Sequence, residues 1–362
     1  MTIAVRPNSG EFGYLPKPLP RSSLSSPRPK FEPDDPDLPE AELRTRTPQS
    51  GLLAWLRLMR LPNVFTALAD VTMGYLFVRH ELAPLDAFLC VAAASALLYT
   101  AGIVLNDVFD IDIDREERPE RPLPSGAISL PVARAFGFVL LGLGVLAAWL
   151  GGLVFGTDAA APWRSGLMAT LLAALVILYN TWLKRTPLGP LGMGACRFVN
   201  VLLGMGLAAE HAAGWPLGYG PAELLAAGGI GVYIVGVTWF ARNEVEESAS
   251  LTLMAAIGVM IAGAALLAGS AWYLPLLRFR VQKPEIFALL LALMIATVLR
   301  RALVAAADPT PHNVQMAVKH SILSLIWLDA VTIAAVAPLE YSIGVALLLV
   351  PAYLLGRWVY ST

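Results

Sequence analysis

From Gly51 onward the chain is a succession of apolar runs of about 20 residues, each long enough as a helix to cross the ~30 Å hydrocarbon layer of a bilayer. They fall at 52–79, 83–106, 129–155, 164–183, 190–209, 222–241, 250–274, 284–305, 317–337 and 340–358. Inside lipid no water satisfies a backbone N–H or C=O, so a spanning segment must be a helix or part of a closed barrel. These runs are continuous and lack the alternation of barrel strands, which leaves helices. The expected fold class is an all-α polytopic membrane protein with about nine or ten transmembrane helices. Composition agrees: 57% of residues are hydrophobic, mean hydropathy is +0.63 and 15% are charged, where a soluble domain carries about 25%.

A net charge of −1 gives no footing for nucleic-acid binding. Cys90 and Cys196 sit in apolar runs without CxxC spacing, which suits small packing residues rather than a disulfide or zinc. Residues 1–50 differ sharply: they hold ten of the 27 prolines, many Ser, Arg, Asp and Glu, and no apolar run. They are expected to form a disordered tail without a signal peptide, and residues 51–362 the transmembrane domain.

Charge orients the expected bundle. With ten spans, the loops after even-numbered spans carry Arg115, Arg118 and Arg121, then Lys184 and Arg185, then Arg242, then Arg300 and Arg301. The positive-inside rule makes that side cytoplasmic, against a discordant trio of Arg278, Arg280 and Lys283 on the other side. The expected location is a multi-pass protein of a bacterial cytoplasmic membrane, with its polar clusters facing the cytoplasm.

The densest of those clusters is Asn106-Asp107-Val108-Phe109-Asp110-Ile111-Asp112-Ile113-Asp114, directly after the apolar stretch from Ala83 to Leu105. Carboxylates emerging there are costly unless used. Continued as a helix at about 100° per residue, the chain sets Asp107, Asp110 and Asp114 within roughly 60° of one another and turns Asp112 away. Three carboxylates on one face repel each other unless cations bind, and Mg²⁺ is the hard, oxygen-seeking ion expected, with Asn106 as a neutral oxygen donor beside it. Pro119, Pro122 and Pro124 end the helix and turn Arg118 and Arg121 back over the cluster, where they can hold an anion bridging the metals. Carboxylates, metal and arginines describe a diphosphate site. The bland alternative is a solvated helix end whose acids and bases neutralise each other; the i, i+3, i+7 spacing and the position after an apolar span argue against it.

Asn106-Asp107-x-x-Asp110-x-x-x-Asp114 with the Arg121-Pro-Leu-Pro-Ser-Gly126 run resembles the first Asp-rich motif of the UbiA superfamily of intramembrane prenyltransferases. That resemblance implies a helical bundle around a central cavity, with Asp107, Asp110 and Asp114 as metal ligands. Tyr179-Asn-Thr-Trp-Leu-Lys184-Arg185-Thr-Pro187 resembles the family's Tyr-x-x-x-x-Lys-Arg-x-Thr segment, whose basic residues help hold the diphosphate. As bare sequence, Lys184 and Arg185 are also ordinary anchors at a helix exit. Arg60-Leu-Pro-Asn63 is similar to the family's start of the first span and makes Asn63 a substrate-binding candidate. Asp70, an intramembrane carboxylate, is a suspect on physical grounds alone. In Gly192-Met-Gly-Ala-Cys-Arg197-Phe-Val-Asn200, Arg197 and Asn200 form an i, i+3 polar pair, and substrate contact and structural pairing both fit it.

The position of the family's second motif, usually Asp-x-x-x-Asp, falls on Arg242-Asn243-Glu244-Val-Glu246-Glu247-Ser248. Asn243 and Glu247, with Glu244 on the same face, are the expected ligands there, and both expected aspartates are missing. Farther on, Asp329 lies nine residues from His320, about 13.5 Å along a helix, so they form no simple pair; Asp329 either lines an acceptor pocket or pairs with another helix. His312 and His320 belong to no zinc constellation.

The resemblance implies Mg²⁺-dependent transfer of a prenyl group from an allylic isoprenoid diphosphate to a hydrophobic, commonly aromatic, acceptor within the membrane. Lys184, Arg118 and Arg121 would take up leaving-group charge, and Tyr99, Phe109 or Trp239 would face the carbocation. Two other classes are compatible with the altered second motif: a UbiA-like protein that binds or moves a prenylated or aromatic lipid without catalysis, and a cation transporter. The last fits poorly, because both motifs sit at helix exits rather than mid-bilayer. Neither acceptor identity, donor length nor oligomeric state is written in the sequence.

Overall fold

The computed structural model of the chain describes residues 51–156, 161–208, 215–242, 250–274 and 283–359. Thirteen α-helices occupy them: α1 (Gly51–Met59), α2 (Val64–Arg79), α3 (Leu85–Phe109), α4 (Ile111–Glu117), α5 (Leu130–Leu153), α6 (Arg164–Thr181), α7 (Gly189–Met205), α8 (Pro221–Ala241), α9 (Ser250–Gly269), α10 (Pro284–Ala307), α11 (Pro311–Val336), α12 (Leu339–Ala346) and α13 (Leu349–Val359). Proline in the first turn opens α5, α7, α8, α10 and α11, where its missing N–H has no helical partner to lose. Among the described residues nine stretches are long and apolar enough to cross a membrane. The remaining expected span, α7, has 17 residues.

The helices close a ring. Going round it, α2, α3, α5, α6, α7, α8, α9, α10 and α11 each pack on the next, and α11 returns to α2. Across the ring α2 also meets α7, and glycine makes this possible: a methyl group on Gly74 would collide with the Val201 carbonyl, and one on Gly204 with the Val71 carbonyl. Large apolar side chains such as Leu146, Leu150, Leu289 and Leu293 point outward. That surface suits hydrocarbon and would be a liability in water. The chain is an integral, multi-pass membrane protein.

Three expected elements are refined. The first span, 52–79, is broken at Arg60, which adopts a left-handed conformation (φ 44°), and a 3₁₀ turn at Leu61–Asn63 then starts α2. The ninth starts at Pro311 rather than 317, because Thr310 caps it by accepting from the Asn313 amide, overriding the low hydropathy of its polar first turns. The acidic stretch is not one helix: α3 ends at Phe109, and Asp110 (φ −98°, ψ 8°) is the hinge before α4.

Candidate active site

The hinge at Asp110 gathers charge at one end of the bundle. Asp107, in the last turn of α3, is buried, and Arg60 donates to its Oδ1 at 2.6 Å. The left-handed conformation of Arg60 turns the chain between α1 and α2, next to where its side chain meets Asp107. Asp114, also buried, receives both its bonds from Arg121 Nη1, at 2.9 and 2.7 Å, and Arg121 lies 3.7 Å from Asp107 as well. Asp110 takes a bond from Lys184 Nζ at 2.7 Å, and the same ammonium donates to Asn106 Oδ1 at 3.2 Å. Arg118 stands 3.9 Å from Asp114, and Arg185 3.9 Å from Asp110. Five basic side chains thus lie within 3.9 Å of three carboxylates, a cationic excess that suits a polyanion.

Local structure fixes these positions. The loop after α4 folds back through the Arg121 to Arg118 and Ser125 to Arg121 backbone bonds, and Leu123 and Ile128 are buried against Val104, Val108 and Ala54. The prolines forbid helix, and the two buried side chains nail the loop over the acids. Lys184 sits in a 3₁₀ turn after α6 whose carbonyl accepts from Arg242 at 2.8 Å, so the end of α8 braces the end of α6.

Inward of the charges lies a cavity of about 360 Å³ between α3, α6, α7 and the turn before α2. Arg60 and Asn106 belong to both mouth and cavity. Leu98, Ile103, Leu172, Val176 and Met193 supply apolar wall. Deeper polar groups are held: Arg197 donates to Asp70 at 2.6 Å and to Thr66 at 2.8 Å with its guanidinium 4.9 Å from the Tyr99 ring centre. Asn200 donates to the Ala67 carbonyl at 3.0 Å and accepts from Ser95 at 2.7 Å.

The expected residues divide accordingly. Asn106, Asp107, Asp110, Asp114, Arg121 and Lys184 meet at the mouth; Asn63, Arg197 and Asn200 line the cavity; Arg118 and Arg185 stand at its exposed rim. Asn243, Glu244 and Glu247, the second motif, lie outside the described residues. Three expectations change. Among the described residues the three carboxylates do not meet at one point; Arg60, Lys184 and Arg121 each pair with one of them. Tyr99 lines the cavity with Arg197 over one ring face, Tyr179 is a second aromatic on that wall, and Phe109 and Trp239 are not among its lining residues. Asp329 is wholly buried beside Asp70 and is not among the residues lining the candidate cavity, which favours its role as a partner of another helix. Thr66, Ser95 and Asn180 went unforeseen: single small polar residues in apolar helices carry no pattern until a neighbouring helix is in place.

The donors fit Mg²⁺. Carboxylate oxygens of Asp107, Asp110 and Asp114 and the amide oxygen of Asn106 form an all-oxygen set, and among the described residues the nearest cation to Asp110 Oδ1 is Arg185 at 3.9 Å. Mg²⁺ usually takes one or two carboxylates and completes its shell with water and substrate phosphate, so separated carboxylates suffice.

Digeranylgeranylglyceryl phosphate synthase of Metallosphaera sedula is 35% identical over 133 residues, 36% of this chain and 43% of its own length. That of Methanoculleus marisnigri is 35% identical over 134 residues, 37% of this chain and 44% of its own. The chain therefore spans less than half the length of these relatives. A solved structure of digeranylgeranylglyceryl phosphate synthase shares the fold (TM-score 0.55, 21% identity, 79% of this chain and 99% of that one). So does a UbiA homolog from Archaeoglobus fulgidus bound to GPP and Mg²⁺ (TM-score 0.53, 16% identity, 81% and 99%). The UbiA prenyltransferase family pattern matches residues 67–323, and the chain belongs to that family.

Proposed function

We propose that the protein transfers a prenyl group from an allylic isoprenoid diphosphate to a hydrophobic acceptor inside the membrane. The observation that carries this is the cationic mouth of Arg60, Arg121 and Lys184 over an apolar-walled cavity that opens inside the bundle. Lys184 and Arg121 hold the diphosphate, and Arg118 closes its exposed side. Asp107, Asp110 and Asp114, with Asn243, Glu244 and Glu247 of the second motif, would hold Mg²⁺, which would supply further neutralisation of the diphosphate charge. When the allylic C–O bond breaks, its electron pair leaves with the diphosphate, where Lys184 and the arginines meet it. The wall of Leu98, Ile103 and Val176 keeps water from the allylic cation, and the acceptor forms the new bond and releases a proton.

The names of the relatives support a second acceptor class beside an aromatic one: the hydroxyl of a glyceryl phosphate lipid. Purified protein with Mg²⁺, geranylgeranyl diphosphate and either acceptor tests both. Prenylated product with diphosphate release, lost in Asp110→Ala, supports the transferase, and product mass identifies the acceptor. Tight diphosphate binding without release with any donor overturns it in favour of a carrier.

A further inference from the structure

Two arginines interrupt the apolar run of α10. Arg300 and Arg301 stand about 10 Å from its end at Ala307 and are exposed. On α11, His320 lies at a similar level, about 13 Å from Pro311. These three, with Thr297, Asn313 and Met316, border a pocket of about 620 Å³ between the two helices, which shares no residue with the cavity of the candidate active site. No carboxylate lines it, and neither arginine has an ion pair or hydrogen bond among the described residues.

The surroundings say where this pocket sits. Exposed apolar side chains continue on both sides of the arginines: Leu289 and Leu293 toward one end of α10, Leu303, Val304 and Met316 toward the hairpin tip. Asp308 at the hairpin tip and the exposed His312, Gln315 and Lys319 on α11 mark the membrane surface, so the guanidinium groups, with apolar side chains on the bundle side, lie near headgroup depth. A cation at that depth calls for an anion that is itself anchored there. Two planar guanidinium forks and an imidazole match the tetrahedral oxygens of a phosphate, while Asn313 Nδ2 is engaged by the carbonyl and carboxylate of Asp308 at 3.0 and 2.9 Å.

We propose that the α10–α11 pocket binds the phosphate headgroup of an anionic membrane lipid, with Arg300 and Arg301 as its charge partners and His320 as a further polar contact. The pocket recognises a phosphomonoester or phosphodiester attached to a hydrocarbon tail that lies along Leu293 and Met316. Native mass spectrometry of the full chain released from micelles tests this directly, and it reads lipid retention rather than prenyl transfer. Phosphatidylglycerol, diacylglycerol with the same acyl chains, and inorganic phosphate are the probes. Retention of phosphatidylglycerol, with diacylglycerol lost, is the expected result. Arg300→Gln/Arg301→Gln is expected to weaken retention about tenfold or more, and Arg300→Lys/Arg301→Lys to keep most of it. Equal retention of diacylglycerol, unchanged binding in the Gln variant, or complete displacement of the lipid by millimolar inorganic phosphate would each overturn the proposal. Should the Gln variant fail to fold, the comparison of the three probes on the unaltered protein still decides.

Discussion

The ammonium of Lys184 lies 2.7 Å from Asp110 Oδ2, joining the turn after α6 to the hinge after α3. Both side chains are largely but not fully covered, at 11% and 20% exposure, so the pair stands at a boundary a ligand can reach. An entering diphosphate brings stronger acceptors than a shared carboxylate, and Lys184 then turns from structural partner to leaving-group donor. Lys184→Met is expected to lower kcat by about 10²–10³, the usual cost of removing one preorganised donor, with folded protein still recovered. Lys184→Arg should regain part of that rate because the charge stays. A Met variant with unaltered kcat removes Lys184 from the leaving-group side.

Metal removal separates chemistry from folding. Because Arg60, Lys184 and Arg121 already neutralise Asp107, Asp110 and Asp114 one by one, the mouth needs no cation to stay assembled. Chelation with EDTA is expected to abolish diphosphate release while leaving the unfolding midpoint where it was, and added Mg²⁺ to restore the rate. A midpoint that falls with chelation would mean the ion is structural. Activity that survives chelation would remove Mg²⁺ from the reaction.

The sequence made the helical architecture and the charged mouth legible for a physical reason. Runs of about 20 apolar residues have one solution in lipid, and carboxylates at the exit of a span are too costly to be incidental. Asp107, Asp110, Asp114 and Arg121 stood out on spacing and placement, whereas Lys184 read as an ordinary helix-exit anchor until the family resemblance singled it out. What stayed hidden depends on partners distant in sequence. The pairing of Arg197 with Asp70 spans 127 residues, and Asn200 meets Ser95 across 105. Nothing local to either position announces it. The hinge at Asp110 was equally silent, since Val-Phe-Asp-Ile contains neither Gly nor Pro and reads as uninterrupted helix.

The crossing of α2 and α7 gives a stability prediction with an internal control. Gly204 and Gly74 face backbone carbonyls, which cannot swing aside as a side chain can. Gly204→Val is expected to destabilise by about 3 kcal/mol or more, at the upper end of overpacking costs, or to abolish folding. Gly142 and Gly258, also helical, face open space, so Gly→Ala there should be neutral or slightly stabilising. Thermal unfolding in detergent ranks the variants. Equal effects at Gly204 and Gly142 would refute the close crossing.

Asp329 and Asp70 offer a sharper case, because their environments predict opposite signs. Both are wholly buried, both face each other, and a single guanidinium, Arg197, serves the pair. Arg197 bonds Asp70 Oδ2, while Asp70 Oδ1 and both oxygens of Asp329 find no donor among the described residues. Two carboxyls facing each other in a dry interior cannot both carry charge, so one proton lies between them, and an amide at Asp329 supplies a permanent hydrogen in its place. Asp329→Asn keeps the shape and a hydrogen toward Asp70 and removes the need for a proton there, so its unfolding midpoint is expected to equal or exceed that of the parent. Asp70→Ala does the reverse: it strips Arg197 of its bonded partner inside the bundle, a loss of about 3–5 kcal/mol for a broken buried pair. It also frees a cavity-lining guanidinium, so KM for the donor should change in Asp70→Ala and stay put in Asp329→Asn. If Asp329→Asn unfolds as early as Asp70→Ala, the two carboxyls act as equals and the asymmetry drawn from Arg197 is wrong.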